Sequence, residues 1–174
     1  MEIMLKVFMK NMVLTCAHRC YVDVDKKEKN MIKPVIKRVE EETDKIGDFL
    51  GEAFSDYAIE NQVQLNFDEF CFTAEDDEAN IVGVIVGRAY YNEVHIGDLI
   101  VDQKYRRTGL GSRLVSAVEE YYSGKGYDKI ALTTFGFQAP GFYQKLGYSI
   151  EFIREDKDPK LKKYFLIKTL KSEK

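Results

Sequence analysis

The chain has 174 residues, which is the size of one ordinary domain. Its 26 basic and 29 acidic residues give a net charge of −3, and this balance argues against nucleic-acid binding, which usually requires a basic excess. No segment approaches the roughly 20 apolar residues of a membrane span, and the N-terminus lacks the pattern of a secretory signal. Three cysteines make a poor disulfide framework, so we expect a reducing, cytoplasmic environment.

The first 30 residues differ in composition from the rest of the chain. All five methionines lie at or before Met31, and a charged run over residues 23–30 ends this part. We predict that residues 1–30 form an extension, either poorly ordered or packed on as an added strand, and that the domain spans residues 31–174. Cys16, His18 and Cys20 invite a metal interpretation, but their spacing is not that of paired ligands, and we predict no metal site.

Apolar periodicity predicts the elements of the first half of the domain. Loose alternation predicts a strand over residues 32–39. An acidic start followed by apolar residues at helical spacing predicts a helix over about 41–54, with a second short helix over 55–62. Strands are predicted over 70–74, 81–91 and 94–101, and an acidic hairpin tip joins the first two.

The second half of the domain alternates helices and strands. A helix is predicted over 109–123, where Gly124 and Gly126 stop it. A strand follows over 129–134, then a helix that starts at Pro140 and ends at Gly147. Two closing strands are predicted over 148–153 and 164–170. Because helices separate only some of the strands, we predict an α/β (α+β) fold with a mixed sheet and helices on both faces.

The most informative motif is RRTGLG at residues 106–111, which follows a strand and opens a helix. Glycines let a backbone approach a ligand closely, and the positive end of a helix dipole favours a bound anion such as pyrophosphate. No Gly-Lys-Ser/Thr ending makes it a P-loop. The candidate residues for this anion site are Arg106, Arg107, Thr108, Gly109, Leu110, Gly111 and Ser112.

Three segments together resemble the GNAT N-acetyltransferase superfamily in order and spacing. LIV at 99–101 is similar to the central strand of that family, and residues 106–111 fit its pyrophosphate loop, Arg/Gln-x-x-Gly-x-Gly/Ala. APGFYQKLGY at 139–148 is similar to its final helix and turn. The strong match covers residues 94–148. Gly136 departs from the pattern, because many members carry an asparagine there, seven residues before the tyrosine.

The resemblance implies a mostly antiparallel sheet whose central strand splays from its neighbour at a bulge. The cosubstrate would be acetyl-CoA, and its pantetheine amides would pair with the exposed strand backbone like an added strand. The candidates for this contact are Leu99, Ile100 and Val101, and the backbone groups that pair are expected from Leu99 and Val101. The resemblance also assigns Tyr143 as the acid that donates a proton to the departing thiolate.

The base that takes the proton from the amine is harder to assign. Strict alternation would place four residues on one face of the strand: His95, Gly97, Leu99 and Val101. Counted back from Val101, His95 falls where related acetyltransferases place a glutamate or histidine with this role, and its ordinary pKa suits it. Glu93 is the reserve candidate. Asp98 would lie on the opposite face and is expected to cap or pair elsewhere.

The acceptor is the least readable part of the function. We expect a small-molecule primary amine, entering beside acidic residues that match the acceptor wall of the family: Asp56, Glu60, Asp68 and Glu69. Three alternatives remain open, namely a protein N-terminus or lysine as acceptor, a non-catalytic CoA-binding module, and a nucleotide-binding regulator. The formation of a homodimer also remains open.

Overall fold

The computed structural model describes residues 34–170. The described part of the chain contains three α-helices and six strands, in the order α1 (Asp44–Glu60), β1 (Asp68–Glu75), β2 (Ile81–Tyr90), β3 (Glu93–Val101), α2 (Leu110–Tyr122), β4 (Lys129–Phe135), α3 (Pro140–Lys145), β5 (Ser149–Arg154) and β6 (Lys163–Thr169). Two short 3-10 turns cover Gln103–Tyr105 and Pro159–Leu161. None of the described helices is both long and apolar enough to cross a membrane.

The chain divides into two units, Met1–Glu41 and Glu42–Lys174. The described residues of the first unit, 34–41, contain no helix or strand, so the strand predicted over 32–39 is wrong for residues 34–39. Its alternation has no matching burial, because Ile36 is 98% exposed. The extension predicted over residues 1–30 lies outside the described residues.

Helix α1 is one continuous helix where the sequence predicts two shorter ones. It ends at Glu60 and is capped by Asn61, whose side-chain amide donates to the carbonyl of Tyr57, and Gln62 follows with a positive φ of 56°. No proline interrupts the helix, so nothing in its backbone chemistry breaks it near residue 55. Its apolar side chains are largely exposed, and only Ala58 is buried.

The six strands form one sheet in the order β1-β2-β3-β4-β6-β5. Every neighbouring pair is antiparallel except β3 and β4, which are parallel and are joined through α2. A parallel pair needs such a crossover, whereas antiparallel pairs can be joined by tight turns. This mixed, mostly antiparallel sheet with its helices confirms the predicted fold class.

The hydrophobic core lies between the sheet and helices α2 and α3. Helix α2 buries one stripe of side chains, consisting of Leu114, Val115, Val118 and Tyr122. They pack against alternate residues of the central strands, including Ile85, Val94, Ile96, Ile130 and Leu132. Fully burying one such aliphatic side chain contributes about 1.5–3 kcal/mol. The N-terminus of α2 is therefore held firmly next to the end of β3.

A bulge at Gly97 interrupts strand β3. Ile96 pairs with Gly87 and Asp98 pairs with Val86, so Gly97 has no partner on β2. Gly87 allows this close approach, because a Cβ there would collide with the carbonyl of His95 and with the ring of Phe70. The pairing of β3 with β4 also stops at Ile96, and from Gly97 onward β3 diverges from β4.

The bulge exchanges the two faces of β3. Residues directly opposite in an antiparallel pair share a face, and Leu99 pairs with Ile85, which is fully buried beneath α2. Leu99 and Val101 therefore pack on the core face with Val94 and Ile96. The other face, called the outer face below, carries His95, Asp98 and Ile100. The prediction that His95 shares a face with Leu99 and Val101, opposite Asp98, is wrong, because the extra residue inverts the alternation.

Candidate active site

A cavity of about 910 Å³ opens where β3 diverges from β4. Strand β3 forms one wall, the start of α2 another, and the turn from β4 into α3 a third. The cavity is lined by ten of the residues that the sequence predicts to bind acetyl-CoA or to protonate its leaving thiolate: Leu99, Ile100, Val101, Arg106, Arg107, Gly109, Leu110, Gly111, Ser112 and Tyr143. Thr108 does not line the cavity, and its hydroxyl instead donates to the carbonyl of Tyr105 at 2.7 Å.

The loop before α2 has the geometry of an anion site. Gly109 is the N-cap of α2 with φ of 88°, and no atom lies within 4 Å of the position that a Cβ would take there. Its lack of a side chain leaves the first amides of α2 uncapped, and these amides have no acceptor within the helix. Arg106 fastens the loop to the strand, because its Nε donates to the carbonyl of Val101 at 3.0 Å.

The charges at this end of the cavity are mostly positive. Arg106, Arg107 and Lys145 all line it, and the start of α2 adds about half a positive charge. Uncapped amides, a glycine turn and fixed cations together suit a diphosphate group.

The diverging half of β3 offers a free backbone edge. From Gly97 to Val101 the strand pairs with β2 on one side only, whereas β4 continues past this point in its pairing with β6. An extended ligand with amide groups can bind such an edge by forming strand-like hydrogen bonds. The residues present therefore fit both the diphosphate and the amide-containing arm of acetyl-CoA.

Tyr143 lies on α3 and reaches the cavity from the core. It is 8% exposed, and its ring packs edge-on against Phe142 and Tyr148, with centroid distances of 5.0 and 5.8 Å. Burial raises the pKa of Tyr143 to about 12, so the phenol is protonated at neutral pH. The backbone behind it is also fixed, because the amide of Tyr148 donates to the carbonyl of Tyr143 at 3.1 Å.

Gly136 stands where the family pattern has an asparagine, and the structure gives the reason. The amides of Gly136 and Phe137 donate to the carbonyls of Lys162 and Lys160, at 2.8 and 3.1 Å. A Cβ on Gly136 would lie 2.5 Å from the carbonyl oxygen of Pro159. The connection between β5 and β6 therefore packs directly on the turn that leads into α3.

Sequence reasoning missed that turn as part of the site. Thr134, Phe137 and Gln138 all line the cavity. The Gln138 side-chain oxygen accepts from the amide of Phe135 at 2.8 Å and faces the Thr134 hydroxyl at 3.2 Å, which closes the turn. Their only sequence signal was their position between a strand and a motif helix.

His95 lines a second cavity, of about 580 Å³, on the outer face. Glu69, Cys71 and Arg88 also line it, and Gly97 lines both cavities. Burial is the main cause that lowers the pKa of His95 from its usual 6.5; the charges of Arg88 and Lys163 act in the same direction, and Glu93 opposes them. His95 is therefore neutral at pH 7 and can accept a proton.

The structure distributes the remaining acidic candidates differently. Glu93 lines neither cavity and forms an ion pair with Lys129, with Oε2 and Nζ 3.4 Å apart. Asp98, which sequence reasoning set aside, lines the larger cavity. Asp68 accepts a hydrogen bond from the hydroxyl of Tyr122 at 2.9 Å, which is a packing role.

Two acceptor-wall candidates, Asp56 and Glu60, lie on α1 and line neither cavity. The cysteine–histidine segment of residues 16–20 lies outside the described residues. Within residues 34–170, no group of three or more potential metal ligands comes together.

Comparison with protein families matches residues 37–148 to the Acetyltransferase (GNAT) family. The chain belongs to this family. It is 34% identical over 95 residues to blasticidin-S acetyltransferase of Streptomyces morookaense, a match that covers 54% of this chain and 70% of that protein. It is also 28% identical over 81 residues to an uncharacterised N-acetyltransferase of Methanocaldococcus jannaschii. That match covers 45% of this chain and 52% of the other protein, which is about half its length.

A solved structure of an acetyltransferase from Bacillus cereus ATCC 14579 resembles this GNAT chain closely in fold. The TM-score is 0.63 at 31% identity, and the match covers 77% of this chain and 98% of the other. The resemblance found in the sequence is thus confirmed, and the chain is a GNAT acetyltransferase. Enzymes of this family generally take the acetyl group from acetyl-CoA.

Proposed function

We propose that this protein transfers the acetyl group of acetyl-CoA to a primary amine of a small molecule by direct attack. The observation that carries the proposal is the divergence of β3 from β4 at Gly97, beside the uncapped start of α2. A free strand edge and an anion site then lie along one cavity, which matches the amide arm and the diphosphate of one ligand.

In this proposal the chain holds acetyl-CoA mainly through its backbone. The peptide groups of Leu99 and Val101 pair with the pantetheine amides, and Ile100 lies between them with its own peptide groups facing β2. The amides of Leu110, Gly111 and Ser112 hold the diphosphate, and the side chains of Arg106 and Arg107 add charge. Thr108 keeps the turn in shape through its bond to Tyr105.

His95 is the proposed base. A primary alkylammonium has a pKa near that of lysine, about 10.4, so it must lose a proton before its nitrogen can attack. The neutral imidazole accepts this proton, directly or through water. Gly97 has no side chain to separate the outer cavity from the larger one, and it lines both. Glu93 remains the reserve, although its ion pair with Lys129 ties up its carboxylate.

Tyr143 is the proposed acid. The amine nitrogen forms a bond to the thioester carbonyl carbon, the carbon–sulfur bond breaks, and the electron pair leaves on sulfur as a thiolate. Transfer of the phenol proton to an ordinary thiolate of pKa about 8.5 would be uphill by roughly 5 kcal/mol, because the pKa of Tyr143 is about 12. Since burial in the same cavity also raises the pKa of the sulfur, the difference narrows, and a hydrogen bond from the hydroxyl stabilises the leaving sulfur before the proton moves.

A small acceptor is supported by the volume of the outer cavity, about 580 Å³, which is in the range of small-ligand sites. The name of the relative from S. morookaense, blasticidin-S acetyltransferase, also points to a small acceptor. The small, odd number of cysteines is the basis for the proposed reducing, cytoplasmic setting.

The test is a thiol-release assay with acetyl-CoA and two panels of acceptors, small primary amines and peptides with free N-termini or lysines. We expect release that depends on a small amine, and mass spectrometry should find the acetyl group on its nitrogen. Turnover of peptides alone would replace the small-molecule acceptor with a protein acceptor. Binding of acetyl-CoA without turnover of any acceptor would favour a non-catalytic CoA-binding module.

A further inference from the structure

One row across the outer face carries three polar side chains on three neighbouring strands. Glu69 on β1 pairs with Arg88 on β2, and Arg88 pairs with His95 on β3. Residues directly opposite each other in antiparallel strands share a face, and their Cβ atoms lie about 4.5–5.5 Å apart. All three residues line the outer cavity. The side chain of Arg88 is therefore the direct neighbour of the proposed base, in the same cavity.

The guanidinium of Arg88 is available to a ligand. Arg88 is exposed, and none of the ion pairs within residues 34–170 includes it, although Glu69 lies directly opposite. Its charge reaches the base, because it is one of the charges that lower the pKa of His95. A guanidinium presents its N–H donors in a planar fork that matches a carboxylate. Arg88 thus has the chemistry to bind an anionic group of the acceptor.

Asp98 provides the opposite charge nearer to the thioester. It lies on the outer face of β3 and pairs with Val86, which is two residues from Arg88 on β2. At about 3.3 Å per residue, Asp98 and Arg88 are displaced from each other by roughly 7 Å along two neighbouring strands. Asp98 also lines the larger cavity, next to Gly97, where the two cavities meet. An ammonium is attracted to this end of the space, and an anion is attracted to Arg88.

We propose that the acceptor is an α-amino acid, whose carboxylate binds Arg88 while its amine points towards Asp98 and His95. The inference rests on the proposed function and adds the class of substrate. Hydrogen bonds of about 2.9 Å at each end leave room for only a short molecule between these groups. The carboxylate of Glu69 repels the anionic group, which keeps it on the side of Arg88 that faces His95. Loss of the ammonium proton to His95 then frees the nitrogen to attack the thioester.

The test compares glycine, L-alanine, L-leucine and L-phenylalanine with their carboxamides. Each pair differs only in the replacement of the carboxylate by a neutral group. The amide has the advantage in reactivity, because the carboxylate of the acid stabilises the neighbouring ammonium and keeps it protonated. We nevertheless expect the parent protein to prefer the acids by about 10-fold in kcat/KM. This is the low end of what a hydrogen bond to a charged group provides, since Arg88 is exposed.

Three variants locate the source of the preference. Arg88→Gln removes the charge and should abolish the preference, whereas Arg88→Lys keeps the charge without the planar fork and should retain part of it. The KM of acetyl-CoA should stay constant in both, because Arg88 does not line the larger cavity. Lys163→Gln is the matched control. Its positive charge also lowers the pKa of His95, but Lys163 lines neither cavity, so this variant should keep the full preference.

The outcomes separate the inference from the function on which it rests. Turnover of amines without any preference for the acids would overturn the amino-acid acceptor and leave the proposed function standing. A preference that survives in Arg88→Gln would overturn the role of Arg88. A preference lost equally in Arg88→Gln and Lys163→Gln would show that the charges act on His95 alone, and it would overturn direct binding by Arg88. If no amine is turned over in the presence of acetyl-CoA, both the proposed function and the inference fail.

Discussion

Gly109 allows a test of the anion site in which shape and charge are separated. It starts α2 in the left-handed region, with φ of 88°, and no atom lies within 4 Å of the point where an added Cβ would sit. Asparagine and aspartate both tolerate this backbone region better than other side chains, and both cap helices. Gly109→Asn and Gly109→Asp therefore carry the same steric and backbone cost, and they differ by one negative charge.

The negative charge of Gly109→Asp should stabilise the free protein and should weaken the binding of acetyl-CoA. Without ligand, the aspartate variant should be more stable than the asparagine variant by about 0.3–1 kcal/mol, because a carboxylate at a helix start is favourable. With acetyl-CoA, a carboxylate at about 4 Å from a phosphate charge costs about 4 kcal/mol at an effective dielectric constant of 20. That energy corresponds to a roughly 10³-fold weaker Kd.

The assay is thermal unfolding with acetyl-CoA at a hundred times the Kd of the parent. The parent should gain about 2.7 kcal/mol, which is roughly 5–10 °C in Tm for a domain of this size. Gly109→Asn should keep much of this gain, and Gly109→Asp should show none. Equal shifts in the two variants would refute the assignment of a diphosphate to the start of α2.

Four further predictions concern other parts of the molecule. Tyr143→Phe should lower kcat by about 10²-fold and leave the Kd of acetyl-CoA unchanged; an unchanged rate of the chemical step would show that Tyr143 is not the acid. Because burial lowers the pKa of His95 from 6.5, the acidic limb of the pH–rate profile should lie below pH 6.5, where the base gains a proton. That limb should disappear in His95→Ala, and its persistence would make His95 structural. Gly136→Ala should lower the free energy of unfolding in urea by about 1–3 kcal/mol, because its Cβ would meet the carbonyl of Pro159. An unchanged free energy of unfolding would mean that the connection between β5 and β6 moves to make room for the methyl group. A chain beginning at Met31 should fold and bind acetyl-CoA, and an insoluble product would contradict the predicted domain boundary.

The sequence predicts elements well where local pattern and burial agree. Strand β2 is predicted over 81–91 and found at Ile81–Tyr90, and α2 is predicted over 109–123 and found at Leu110–Tyr122. In both, the apolar period that defines the element also faces the core. The anion site before α2 could be predicted for another reason. It is built from arginines and glycines that are consecutive or nearly so in the chain, so the motif itself indicates the site.

The two faces of β3 could not be read from β3 alone. Alternation assumes an uninterrupted strand, and the bulge at Gly97 depends on the close approach of Gly87 on the neighbouring strand. Glycines within two adjacent strand patterns were a signal that the alternation could fail there. The consequence is functional, since His95 lies in a different cavity from Tyr143, with Gly97 common to both.

The role of Gly136 also depends on contacts between distant parts of the chain. The sequence marks it only as a departure from a family pattern. The reason lies in Pro159 and Lys162, which belong to a connection whose path over the site is set by the pairing of β6 with β4. The same contacts hold Phe137 beside the cavity, so its place in the site was not predictable either.

A crystal structure with bound acetyl-CoA would show directly whether the gap between β3 and β4 is the cosubstrate site. We expect the diphosphate at the amides of Leu110 to Ser112 and the pantetheine arm against the free edge of β3. We also expect the thioester sulfur within hydrogen-bonding distance of the Tyr143 hydroxyl, with the carbonyl carbon reachable from the His95 side at Gly97. Acetyl-CoA bound outside the gap between β3 and β4, or a sulfur remote from Tyr143, would contradict the proposed site.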